Sequence, residues 1–204
     1  MNFWDKIADS YSKRPIANED AYQKKLAMSR EYFRPDMQLL EFGCGTGGTA
    51  LLHAPHVAHI AAIDCSANMI NIAKQRQQDS ELTNVDYHVA SIEEYQAEAA
   101  SFDGILGLSI LHLLEDRDAV TAKVFELLKP GGVFISSTAC LGDKHNWLKL
   151  AVPFFRLIGK MPPVLKFFTV KELQDSFTAS GFTIEKTWKP EKGMATFIIA
   201  KKPS

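Results

Sequence analysis

Residues 39–52, LLEFGCGTGGTALL, constrain the fold more tightly than any other stretch of the chain. An apolar run of strand composition ends at Phe42, glycines crowd the next positions, and helical spacing resumes at Thr49. A strand that turns into a helix through residues without side chains brings backbone N–H groups close to a ligand at the helix start. Two registers are open. Gly43, Gly45 and Gly48 spell G-x-G-x-x-G, whereas Gly43, Gly45 and Gly47 spell G-x-G-x-G, and the two imply different ligands.

The surroundings fix the class of fold. MQLLEF, HIAAID, VDYHVA, FDGILGLS and GVFISST are short runs rich in strand formers, separated by stretches of helical period such as SANMINIAKQRQQ and RDAVTAKVFELL. Strand alternating with helix predicts an α/β domain, a doubly wound parallel sheet covered by helices on both faces. Residues 1–35 read as a helical cap with one face formed by Trp4, Ile7, Ala8 and Tyr11 and a break at Pro15. Residues 36–139 form the core, 143–168 a basic, apolar insert, and 169–204 a helix stopped by Gly181 followed by an antiparallel hairpin through Pro190, Lys192 and Gly193. At 204 residues without a low-complexity linker, one domain is expected.

Composition removes several function classes. A net charge of -1 without a long Lys/Arg run argues against a nucleic-acid partner. Three cysteines are too few for a disulfide framework and fit a reducing compartment. Asp5 and Asp9 interrupt the place where an export signal would need apolar residues, so a cytoplasmic location is expected. The longest apolar region, residues 146–168, is broken by Lys149, Arg156, Lys160, Lys166 and three prolines, which rules out a span but leaves peripheral contact with a membrane open.

Asp64 closes the next apolar run, where a carboxylate accepts hydrogen bonds from ribose hydroxyls in either register. Three features separate the registers. Glu41 lies two residues before the first glycine; it would repel a pyrophosphate and favour an ammonium or a sulfonium. Hydride-transfer equipment is missing: no Tyr is followed four residues later by Lys, and no second domain remains for a substrate. LLKPGGVFISST, residues 127–138, reads as a helix end, a Pro-Gly-Gly turn and a buried strand.

With these motifs the block from Met37 to Thr138 resembles the class I S-adenosylmethionine-dependent methyltransferases, in particular the small-molecule branch similar to ubiquinone and menaquinone methyltransferases. The resemblance implies a Rossmann-like sheet of seven strands whose last strand is antiparallel, with S-adenosylmethionine as donor and S-adenosylhomocysteine as product. It sets Gly43, Gly45 and Gly47 against the methionine end with Glu41 behind them, Asp64 on the ribose, and Cys65 and Met69 beside the adenine. Ser91 stands where the family usually carries an acid for the adenine amino group, so the backbone amide of Ile92 shares that contact. Leu108 offers its carbonyl to the methionine amino group, and Tyr11 and Trp4 resemble the aromatic helix that covers the cofactor.

His112, in GLSILHLLED, follows the fourth strand, where the family lines its acceptor pocket; it is a candidate base, with a pocket-lining or structural His as the other reading and Ser109 as a weaker candidate. LSIL is not the Asn/Asp-Pro-Pro-aromatic turn of enzymes that methylate adenine or glutamine amino groups. Asp116 and Asp118 begin the next helix and read as caps rather than metal ligands. His53, His56 and His59 read as solvated residues around Pro55, and no metal is expected. The insert, with Trp147, Phe154, Phe155, Phe167 and Phe168, reads as an apolar lid over a small, partly hydrophobic, even lipid-like acceptor, against a lid packed on its own core or on a second subunit. A non-catalytic S-adenosylmethionine sensor or partner subunit is the alternative class.

Overall fold

The structure, a computed structural model, describes residues 3–143, 148–157, 161–191 and 195–204. Trp147, Lys160, Lys192 and Gly193, named above, lie outside them. The chain runs through α1 (Phe3–Ser12), α2 (Glu19–Arg30), β1 (Gln38–Phe42), α3 (Gly48–His53), β2 (His59–Asp64), α4 (Ala67–Gln78), β3 (Val85–Val89) and β4 (Phe102–Leu108). It continues through α5 (Arg117–Leu127), β5 (Leu128–Ala139), α6 (Leu148–Leu157), α7 (Val170–Ala179), β6 (Thr183–Trp188) and β7 (Ala195–Lys201). Short 3-10 turns occupy Ala54–His56 and Leu111–Leu113.

Local chemistry starts and stops the helices. The Asn18, Ser66 and Asp116 side chains accept from the N–H groups of Ala21, Met69 and Ala119, capping α2, α4 and α5. Asp116 therefore is the cap it was expected to be. Thr169 and Glu172 form a reciprocal capping box on α7. Beyond its other end Gly181 adopts φ +97°, a conformation that closes a helix at little cost only for glycine.

The strands form one sheet in the order β3-β2-β1-β4-β5-β7-β6. β7 is antiparallel to both β5 and β6, and the other neighbours are parallel. The expected seven-stranded, mainly parallel sheet is the one observed. Lys129 to Gly132 bulge out of the ladder, because Phe102 pairs with Leu128 while Gly104 pairs with Val133. The Pro-Gly-Gly turn thus lies within β5 rather than before it.

Alternate strand residues point to opposite faces. Leu40, Phe42, Ile105 and Phe134 pack with Val124 of α5 and Phe177 of α7. Leu39, Ile60 and Leu106 pack with Ala50 of α3 and Ile70 and Ala73 of α4. Met28 of α2 closes over Val133, Ile135, Phe197 and Ile199. Strand order reverses between β1 and β4, and in such sheets the crevice at the carboxyl ends of those strands is where ligands bind.

In the insert, α6 carries Pro153, and its Phe154, Phe155 and Leu157 are exposed. Among the described residues no helix is long and apolar enough to cross a membrane.

Candidate active site

The glycine loop sits at the β1 end of that crevice. Gly43, Gly45 and Gly47 adopt φ values of +65°, +54° and +73°, the left-handed region that β-carbons disfavour, whereas Gly48 is the first residue of α3. The positions that need glycine are therefore those of the G-x-G-x-G register. The loop is pinned to β2 from both sides: the Cys44 N–H donates to the Ile63 carbonyl at 3.0 Å and the Gly45 N–H to Asp64 Oδ2 at 2.9 Å.

Asp64 uses its other oxygen, Oδ1, to accept the Ser66 N–H at 2.9 Å. Burial raises its pKa, and the two backbone bonds hold it back. Ser66 in turn donates its hydroxyl to Asp5 at 2.7 Å, tying α1 to the start of α4. At the far end of α4, Arg76 donates to Thr46 of the loop and to the Ser12 carbonyl of α1. α1 is thus latched at both ends across the loop, and Tyr11 lies with its ring 3.8 Å from where a β-carbon on Gly45 would stand.

Glu41 points to the α3 side of the sheet and is buried at 3% exposure. Its Oε2 has no hydrogen-bond partner among the described residues. Burial, and next the neighbouring Asp64, push its pKa up to about 8, so the isolated chain holds it neutral at physiological pH. Beside it Tyr22 and Thr49 share a hydroxyl hydrogen bond of 3.1 Å. On the other side Lys25 donates from Nζ to Ser137 Oγ at 2.8 Å, with its pKa lowered by burial. The chain kinks after β4 at Ser109, a non-glycine residue with φ +59° whose N–H meets the Ser137 carbonyl.

These groups line a cavity of about 710 Å³. Of the residues singled out in the sequence it brings together Tyr11, Glu41, Gly43, Gly45, Leu108 and Ser109. Gly47, Asp64, Cys65, Met69, Ser91, Ile92 and His112 are not part of its lining. Cys65 is exposed, whereas Met69 and Ile92 are core side chains at 2% and 3% exposure. The Ser91 hydroxyl is engaged locally, donating to the Glu94 carboxylate and accepting the Glu94 N–H, which explains a serine at that turn. His112 lies in the 3-10 turn after β4 with Nδ1 buried and unpartnered, and burial lowers its pKa to about 4. Its carbonyl accepts the Lys166 N–H at 2.8 Å, so the end of the insert docks beside it.

One reading is corrected. His53 is not solvated: it is 1% exposed, edge-on to Phe33 at 4.9 Å between ring centres, and burial takes its pKa down to about 3. Short helix α3 carries its last residue under α2 instead of ending in solvent. At the end of the insert Lys166 pairs with Glu115 at 2.7 Å. The residues that sequence reasoning missed are Asp5, Tyr22, Lys25, Thr49 and Arg76. One signal was present: Ala21, Lys25, Leu26 and Ser29 fall on a single face of α2 by helical spacing, which puts a lysine on the buried stripe.

Comparison with known proteins places this geometry. Residues 39–132 match the family described as Methyltransferase domain. Phosphoethanolamine N-methyltransferase 2 of Caenorhabditis elegans is 30% identical over 54% of this chain and 26% of its own length. Ubiquinone biosynthesis O-methyltransferase of Xanthomonas campestris pv. campestris is 33% identical over 51% of this chain and 44% of its own. The structure of Haemonchus contortus phosphoethanolamine N-methyltransferase 2, in complex with phosphomonomethylethanolamine and S-adenosylhomocysteine, superposes with a TM-score of 0.73 at 18% identity, over 90% of this chain and 53% of that one. The chain thus spans only about a quarter to under half of the two curated relatives it is compared with. Sheet order, left-handed glycine loop and matched segment agree: over residues 39–132 the chain matches the methyltransferase domain, and its fold is the one found in the solved S-adenosylhomocysteine-bound methyltransferase.

Proposed function

We propose that this chain transfers a methyl group from S-adenosylmethionine to oxygen, nitrogen or carbon of a small, partly hydrophobic acceptor and releases S-adenosylhomocysteine. The observation that carries the reading is the cavity that runs from the glycine loop past Glu41 and Leu108 to the ends of β4 and β5. The donor supplies an electrophilic methyl carbon on a sulfonium; the protein's work is to hold it and to aim the acceptor in line.

Backbone groups of Gly43, Gly45 and Gly47 approach the methionine end, and Glu41, neutral in the free chain, ionises and pairs when an ammonium arrives beside its open Oε2. The Leu108 carbonyl takes the other side of that ammonium. Asp64 has lone pairs left for ribose hydroxyls after its two backbone bonds. Cys65 and Met69 flank the adenine, with Ser91 and the Ile92 amide at its edge. Tyr11 covers the site and offers a π-face to the sulfonium. His112, in the turn that follows the cavity-lining Leu108 and Ser109, is the candidate to accept the acceptor's proton where one is released. A cytoplasmic protein working at a membrane surface fits α6, whose exposed Phe154, Phe155 and Leu157 flank Arg156.

Methyl-labelled S-adenosylmethionine incubated with the protein and a protein-depleted extract tests the reading. Label is expected in an organic phase and is expected to vanish with Asp64→Ala. Intact cofactor binding with no transfer to any pool would overturn it, and Asp64→Ala with full affinity would overturn the ribose assignment.

A further inference from the structure

We propose that Lys25 seats a carboxylate carried by the acceptor, so that the molecule methylated is apolar with one anionic end. This rests on the methyl-transfer reading and names the substrate class for the same site.

The cavity has two chemically different ends. At one, Glu41 on β1 has a buried, unpartnered Oε2 beside Tyr22 and Thr49, an environment suited to a cation. At the other, the Lys25 ammonium is held by a neutral serine hydroxyl, and no carboxylate pairs with it among the described residues. An ammonium has three donors, and a partly buried cation left without an anion is costly. Burial alone accounts for its lowered pKa, with no contribution from any acid, Glu41 included. The lysine is a vacancy for negative charge.

Position separates this vacancy from the methionine tail. Ser137 lies on β5, in register with Leu108 of β4 and Phe197 of β7. β4 stands between β5 and the strand that carries Glu41, so the two strands are about 10 Å apart. The amino and carboxylate groups of methionine share one carbon, so a tail whose ammonium sits at Glu41 leaves Lys25 unfilled. Apolar residues of the same cavity include Phe197, in register with the Ser137 that holds Lys25, and Ala195, Pro190 and Ile16. Of the cavity's other cations, Arg76 is engaged by Thr46 and the Ser12 carbonyl and Arg14 follows α1, so Lys25 is the ammonium held at the β5 end, and it suits an apolar molecule ending in a carboxylate. The kinked Ser109 backbone locks the floor between the two ends through its bond to Ser137.

The test is binding to the full chain saturated with S-adenosylhomocysteine, using decanoate and its uncharged counterpart decanamide as probes. Wild type is expected to prefer decanoate by about tenfold or more, Lys25→Met to lose the preference and Lys25→Arg to keep most of it. Equal binding of the two probes by wild type, or a preference that survives in Lys25→Met, overturns the proposal. A second arm compares S-adenosylhomocysteine with 5′-methylthioadenosine, which lacks the amino-acid tail. If Lys25→Met weakens the first about tenfold and spares the second, the carboxylate belongs to the cofactor and the acceptor assignment falls. Both arms read binding, so a protein that transfers no methyl group refutes the methyl-transfer reading without touching them, while active enzyme with no carboxylate preference refutes this inference alone.

Discussion

Replacing Gly47 with alanine separates the two jobs of the glycine loop. A β-carbon on Gly47 would stand 2.5 Å from Tyr87 Oη and 2.8 Å from the Ala73 β-carbon. Neither neighbour has room to retreat. Ala73 is fully buried on α4, and Tyr87, itself buried on β3, donates to the Gly47 carbonyl at 3.2 Å. The left-handed φ of +73° adds its own penalty. Conformation costs about 1–2 kcal/mol and overpacking about 1–3 kcal/mol, so a loss of about 2–5 kcal/mol is expected, a large share of a domain's typical stability. Gly45 is the control: it is equally left-handed, yet its added β-carbon would meet only the Tyr11 ring at 3.8 Å. Gly45→Ala is expected to lose about 1–2 kcal/mol, while its methyl intrudes on the cavity and weakens S-adenosylhomocysteine binding.

Urea denaturation of the three proteins measures the stabilities, and calorimetric titration the binding. The clash with Tyr87 has a further check. Tyr87→Phe removes the crowded hydroxyl, so the double variant Gly47→Ala/Tyr87→Phe is expected to recover at least about 1 kcal/mol relative to the sum of the single losses. Equal destabilisation by the two glycine substitutions would refute the packing account, and strict additivity in the double variant would show that the hydroxyl is not the obstacle.

Glu41 has a pKa of about 8 in the folded chain against an ordinary 4.5, so the native state binds the extra proton and stability falls as pH rises between those values. Glu41→Gln is expected to be the more stable protein near the top of that window and to converge with wild type in acid; parallel curves would refute the burial of an unpaired carboxyl. His53 acts in the opposite sense: its pKa falls from 6.5 to about 3 on folding, so its contribution is lost as pH drops through that range. His53→Leu should shift the acid-unfolding midpoint to lower pH, and an unchanged midpoint would sink the assignment. Arg76→Ala cuts the bonds to Thr46 and Ser12, and is expected to cost about 1–3 kcal/mol and to speed hydrogen exchange across α1; unchanged protection there would mean that the Asp5 latch suffices alone.

The frame was legible because each of its elements is a local decision. Strand-forming runs, the Asn18, Ser66 and Asp116 caps and Gly181 act within a few residues of themselves, and chirality does the rest. The start of β5 was less so, because the bulge over Lys129 to Gly132 depends on pairing with β4. The glycine register was readable from Glu41, a neighbour in sequence. What escaped were contacts closed over long stretches of chain: Asp5 with Ser66, Lys25 with Ser137, Lys166 with Glu115. Helical period told that Lys25 lies on the face that α2 buries, but not what it meets there.

That difference also explains the His53 misreading. Pro55 and two further histidines give residues 53–59 the composition of a surface turn, and composition has no knowledge of α2 passing overhead with Phe33 at its end. The same packing that hides His53 lowers the pKa of Lys25 and raises that of Glu41, since all three line the space between α2, α3 and the sheet. One structural fact, burial of polar side chains beneath α2, is therefore the largest cause of all three shifted ionisations. A ligand with a cationic and an anionic end, or two ligands with one each, relieves the Glu41 and Lys25 shifts together and leaves His53 as it is. Proton release on saturation, read calorimetrically in buffers of different ionisation enthalpy, follows from Glu41 alone and should disappear in Glu41→Gln.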